Sequence, residues 1–144
     1  MQLDDFTDVA ADIIMSAVQN AKNLKKAPVP EFVLEGIIEH TDSPVAAMMI
    51  KHKVDKDKVL KEVKDYLFTL PEIHIESDSD ENVLTVHPRL VALLERAKKS
   101  ASDAGDTYVD TLTVFKQFYT EGTDNKGVSL LTSNGMSLEK AVSS

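Results

Sequence analysis

The sequence predicts an all-α fold: two pseudo-symmetric four-helix repeats packed as one eight-helix domain. Three observations predict it. Apolar residues recur at helical spacing. The same pattern occurs twice along the chain, in matching order. Residues that start helices stand at corresponding places in both copies.

The repeat is the strongest of the three. Laying residues 6–24 over 86–104 brings Ala10, Ile13, Ile14, Ala17, Ala21 and Leu24 onto Leu90, Leu93, Leu94, Ala97, Ala101 and Ala104. Every position is apolar in both copies, and the spacing follows one helical face. The same offset pairs Leu34 with Val114 and Ile38 with Phe118. After a two-residue shift, Met48 and Met49 pair with Leu130 and Leu131, Val54 with Met136, and Lys58 with Lys140. Two pairs break the pattern: Gly36 faces Lys116, and Ile37 faces Gln117.

In chain order, Thr7 is the N-cap of the first helix. Pro30-Glu31 opens the second, because proline loses no hydrogen bond there and an acid suits the positive helix end. Ser43-Pro44 opens the third helix. Asp55 opens the fourth, expected over roughly 56–70. The stretch Glu76-Ser77-Asp78-Ser79-Asp80-Glu81 is acidic and without periodicity, so a solvated linker is expected over about 74–83. In the second copy His87 takes the cap slot held by Thr7, with Pro88 after it. Asp110 caps the next helix and Ser137 the last. That last helix has few residues before Ser144, so the sequence reads as the front part of something longer. The repeats are placed at about 1–72 and 84–144. Each alone is too small to bury its apolar faces, so they are expected to pack on each other.

Composition narrows function. The chain has 144 residues, 42% of them hydrophobic, enough for a real core. Its net charge of −8 argues against nucleic acid or an anionic membrane as partner. With no cysteine, disulfides, thiolate chemistry and zinc–thiolate sites are excluded. No apolar run approaches the ~18 residues of a membrane span. The acidic start Met1-Gln2-Leu3-Asp4-Asp5 is no secretion signal, and a cytoplasmic protein is expected.

Catalytic motifs are missing. The chain has no phosphate-cradling Gly-x-x-x-x-Gly-Lys run, no Gly-x-Ser-x-Gly elbow and no His-Glu-x-x-His. His40, His52, His74 and His87 are too dispersed for a metal motif, and no metal site is expected. His87 before Pro88 admits one enzymatic alternative. A histidine at a helix N-terminus can take up a phosphoryl group, as in a phosphocarrier. Its equivalence to the Thr7 cap explains it more simply. Met15, Met48 and Met49 suit either an adaptable peptide surface or plain core, and core is the expectation.

The opening Met1-Gln2-Leu3-Asp4-Asp5-Phe6-Thr7, the repeat and the short proline-started second helix together resemble the Clp repeat domain of the Clp/Hsp100 ATPases. The opening is most similar to ClpB disaggregases. His87-Pro88-Arg89 is similar to the Thr-Pro-Arg that opens the second repeat of ClpC unfoldases, and Tyr108-Val109 with Thr111 resembles the ClpC run Tyr-Val-Gly-Thr-Glu-His. The resemblance spans essentially the whole chain. It implies a non-enzymatic, monomeric domain on a hexameric ATP-driven unfoldase. Such a domain engages unfolded or aggregated proteins, or an adaptor, and passes them to the pore, with a Clp peptidase as a further partner of the ring. It implies no cofactor in this domain and ATP in the parent. A free-standing Clp-like accessory protein on a chaperone–protease ring is the alternative.

The resemblance also implies site residues. Thr7 and Asp106 match the Thr and the acid of the ClpB-like peptide site. The family's Thr-Glu-His glutamate, which holds phosphoarginine in ClpC-type domains, is expected at Phe32 and Leu112, so phosphoarginine recognition is not expected. Phe32 and Leu112 then either widen a hydrophobic peptide patch or pack inside.

Overall fold

A computed structural model describes residues 3–40, 42–73 and 87–142. The acidic linker expected over 74–83 lies outside the described residues. Eight α-helices are present among them: α1 (Asp8–Asn23), α2 (Pro30–Glu39), α3 (Pro44–Lys51), α4 (Lys56–Thr69), α5 (Pro88–Asp103), α6 (Thr111–Glu121), α7 (Lys126–Ser133) and α8 (Leu138–Val142). A 3-10 turn, Gly122–Asp124, joins α6 to α7. The described residues contain no strand, only two isolated β-bridges. The all-α, two-by-four arrangement read from the repeat is the observed one.

The helix starts are made locally. The Thr7 hydroxyl accepts from Ala10 N–H at 3.2 Å, the Asp55 carboxylate from Lys58 N–H at 3.1 Å and the Asp110 carboxylate from Thr113 N–H at 2.8 Å. Ser43 and Ser137 cap α3 and α8 in the same way. His87 caps α5 through Nδ1, which accepts from Arg89 N–H at 3.1 Å. Asn125 caps α7, a role its sequence position had not suggested.

The helix ends repeat as well. After α1, α3, α5 and α7 the chain turns through one left-handed residue: Lys25, Lys53, Gly105 and Gly135, with φ of 58°, 58°, 79° and 95°. Each turn carries the paired bonds of a Schellman motif. At α5, Asp106 N–H reaches Ala101 C=O at 2.9 Å and Gly105 N–H reaches Ser102 C=O at 3.0 Å. Leu24 and Ala104 are therefore helix C-caps, and Leu24 is 41% exposed rather than part of the buried stripe.

Helix starts also correct the register of the second helices. Pro30 and Thr111 are the equivalent first residues. Val33 then pairs with Val114, Leu34 with Phe115 and Ile37 with Phe118, all buried, and Gly36 meets Gln117. The constant offset was one residue out here, which is why two of its pairs disagreed. The turn at 104–110 is one residue longer than that at 24–29, and α6 is one residue longer than α2. The two-residue shift is thus two single steps.

One core joins both halves. Ala10, Ile13, Ile14, Ala17 and Ala21 of α1 and Leu90, Leu93, Leu94, Ala97 and Ala101 of α5 are all buried in it. Met48 and Met49 are core, while Met15 is 54% exposed. Helix α2 lies at the centre and packs on α1, α4, α5, α6 and α7. Gly127 lets α7 approach it, because a Cβ there would collide with the Leu34 side chain. Polar contacts cross the joint too: Arg89 of α5 pairs with Glu31 of α2 at 3.2 Å, and Asn134 Nδ2 donates to Glu62 Oε1 at 3.0 Å.

Candidate peptide-binding groove

The chain start and the α5–α6 turn meet in a short parallel pairing. Val109 N–H donates to Asp5 C=O at 2.7 Å, and Thr7 N–H donates to Val109 C=O at 2.9 Å. Phe6 is buried beneath this pairing, 4% exposed. First-repeat backbone is thereby fixed against the second repeat. The Schellman turn after α5 then presents Asp106 beside it.

A groove of about 320 Å³ opens there, lined by Asp5, Lys98, Ala101, Ser102, Asp106, Thr107 and Val109. Its electrostatics are mixed. Two aspartates and one lysine line it, and the lysine Nζ lies 5.9 Å from the centre of the Phe6 ring. That separation is a cation–π distance. The same Nζ is 3.7 Å from Glu95 Oε1. The groove can take a small polar side chain or a bend of extended peptide, because its exposed walls are mainly polar and Ala101 and Val109 are almost fully buried behind them.

The four site residues expected from sequence are placed differently. Asp106 lines the groove. Thr7 adjoins it through its backbone, while its hydroxyl accepts the α1 capping bond. Leu112 is half-buried against the core on α6. Phe32 is 1% exposed, so its ring packs inside and gives no peptide surface. The corrected register also makes Glu31, not Phe32, the counterpart of Leu112. Glu31 is fully buried; its Oε2 accepts from Arg89 and from Lys126 N–H, while Oε1 lies 3.2 Å from the Arg89 guanidinium without a hydrogen bond of its own. Asp5, Lys98, Ser102 and Thr107 were not picked out from sequence. Lys98 and Ser102 stand one helical turn apart on α5, but only the Asp5–Val109 pairing turns that face into a groove wall.

Among the described residues no helix is long and apolar enough to cross a membrane. A search of curated proteins finds no match. Solved structures do match in fold. The N-terminal domain of Hsp104 from Candida albicans has a TM-score of 0.78 at 18% identity, covering 97% of this chain and 88% of that one. The N-terminal domain of the ClpV1 ATPase from E. coli EAEC has a TM-score of 0.77 at 18% identity, covering 98% and 83%. That of the chaperone ClpD from Arabidopsis thaliana has a TM-score of 0.72 at 17% identity, covering 99% and 96%. The family model of the Clp repeat (R) N-terminal domain matches residues 5–133, and the chain belongs to that family.

Proposed function

We propose that this chain is the protein-capturing domain of a cytoplasmic Clp/Hsp100 ATPase. It holds unfolded or aggregated segments, or an adaptor that carries them, and passes them to a hexameric ring. The observation that carries this reading is the groove at the repeat junction, with Asp106 in its wall. The similar domains of Hsp104, ClpV1 and ClpD support it.

The chemistry fits weak, broad recognition. A groove this small engages one or two side chains at a time, so each encounter is expected to be micromolar or weaker. Six copies on a ring raise the apparent affinity without any new contact. The domain itself carries out no reaction: ATP is bound and spent in the parent. Phosphoarginine is not a ligand in this reading, because Leu112 offers no carboxylate and that of Glu31 is fully buried against Arg89.

The test is titration of the isolated domain with a fluorescent unfolded protein, followed by NMR. Shifts clustered at Asp5, Lys98 and Asp106, and weakened by Asp106→Ala, are expected. Saturable binding elsewhere, or none at high concentration, overturns the direct-capture reading.

A further inference from the structure

The turns after α1 and α5 match in backbone and differ in charge. After each helix the chain passes through one left-handed residue, Lys25 or Gly105, and the next residue donates its N–H back into the helix. Lys26 N–H reaches Ala21 C=O at 2.9 Å, and Asp106 N–H reaches Ala101 C=O at 2.9 Å. Lys26 and Asp106 are therefore equivalent positions, one holding a cation and the other an anion.

In repeat one that position is occupied. The Lys26 ammonium donates to the carbonyls of Leu67, at 3.0 Å, and of Phe68, at the end of α4. Lys26 is 6% exposed as a result. A helix C-terminus carries partial negative charge, so the cation and its occupant are complementary. In repeat two the position is open: Asp106 is exposed and lines the groove. Among the described residues neither its carboxylate nor that of Asp5 has a hydrogen bond or an ion pair. Complementarity at this slot calls for a positive occupant.

The surrounding charge agrees. Asp4, Asp8 and Asp110 border the groove along the chain, and all three are exposed. Lys98 lines the groove, but its ammonium is 3.7 Å from Glu95 Oε1, and that of Lys99 is taken by Asp103 at 3.0 Å. Lys22 is in the last turn of α1, at its far end, and Lys116 is in the second turn of α6. Arg96 stands about 200° round α5 from Lys98. Neighbouring cations thus leave an acid surplus at the groove, on a chain of net charge −8.

We propose that the groove selects a lysine or arginine side chain of the captured polypeptide, its charged head held by Asp5 and Asp106. This rests on the capture reading above and adds to it the chemistry of the captured segment.

The test titrates the 144-residue chain, followed by NMR, with three peptides of alternating Ser and Val that differ only in a central Lys, Gln or Glu. The Lys peptide is expected to bind about tenfold more tightly than the Gln peptide, and the Glu peptide most weakly, with shifts at Asp5 and Asp106. Asp106→Lys, which gives repeat two the residue of repeat one, should reverse that order. Equal binding of all three peptides at the groove overturns the charge preference and leaves the capture reading standing. An unchanged order in Asp106→Lys, or a Lys preference with shifts elsewhere, overturns the preference as well. No binding of any peptide overturns both.

Discussion

Arg89 on α5 and Glu31 on α2 form a charged pair across the joint between the two repeats, Nη2 to Oε1 at 3.2 Å. The guanidinium also binds Glu121, through Nε at 3.2 Å and Nη2 at 3.3 Å, and the C=O of Asp124 at 3.3 Å. Burial works against its charge, but the hydrogen bonds and charges of Glu121 and Glu31 outweigh it and hold its pKa above the ordinary value. Removing Arg89 leaves two carboxylates without a cation, one of them fully buried, although each keeps one other hydrogen-bond donor. Breaking a buried pair costs ~3–5 kcal/mol, and partial exposure of Arg89 lowers that to about 2–3 kcal/mol for Arg89→Ala. Urea unfolding checks it; a loss under about 1 kcal/mol would show the pair to be ornamental. Glu31→Gln, which keeps an acceptor for Lys126 N–H, should cost less.

The left-handed turns make a second prediction. Repeat two uses Gly105 and Gly135 where repeat one uses Lys25 and Lys53. A lysine in that conformation carries a steric cost that glycine lacks. Lys53→Gly should raise stability by about 0.5–1 kcal/mol, and Gly135→Ala should lower it by a similar amount. Thermal melting reads both, and a fall in Tm for Lys53→Gly contradicts the argument.

Gly127 tests the close approach of α7 to α2. Its counterpart by helix start is Val45, which is buried. Gly127→Val should destabilise by about 2–3 kcal/mol through collision with Leu34. Leu34→Ala in the same chain should relieve part of that loss, giving a coupling energy in a double-mutant cycle. Strict additivity would mean that the two side chains do not meet.

Glu35 sets a pH dependence. Desolvation by burial raises its pKa above 4.5, with Glu39 adding to the rise, against the lowering effect of Lys64 and the hydrogen bond from Asn20. A carboxyl group whose pKa is raised by folding binds its proton more tightly in the folded state. Its contribution to stability is therefore least favourable at neutral pH and improves as pH falls through the raised pKa toward 4.5. Glu35→Gln should be more stable than the parent at pH 7, with the gain shrinking as the pH is lowered. Denaturation midpoints at several pH values measure this, and a gain that grows on acidification would reverse the sign.

What the sequence determined by itself is what short-range physics controls. The apolar faces of α1 and α5 follow from 3.6-residue periodicity. The caps at Thr7, Asp55, Asp110 and Ser137 follow from side chains bonding to amides three residues away, so both kinds of signal lie within one or two helical turns. The repeat, summed over many such positions, was enough for the fold class and the family resemblance. Tertiary structure alone decided the rest. A single added residue in the turn at 104–110 moved the register of the second helices and exchanged Phe32 for Glu31 opposite Leu112, because turn length carries no periodic signal. The Asn125 cap follows a 3-10 turn that the pattern did not mark. The groove exists because Val109 bonds to Asp5 and Thr7 from the far end of the chain, and the matching slot of repeat one is filled because Lys26 reaches the end of α4. These pairings are distant in sequence, and their partners are selected by the packing of the two repeats rather than by either segment on its own.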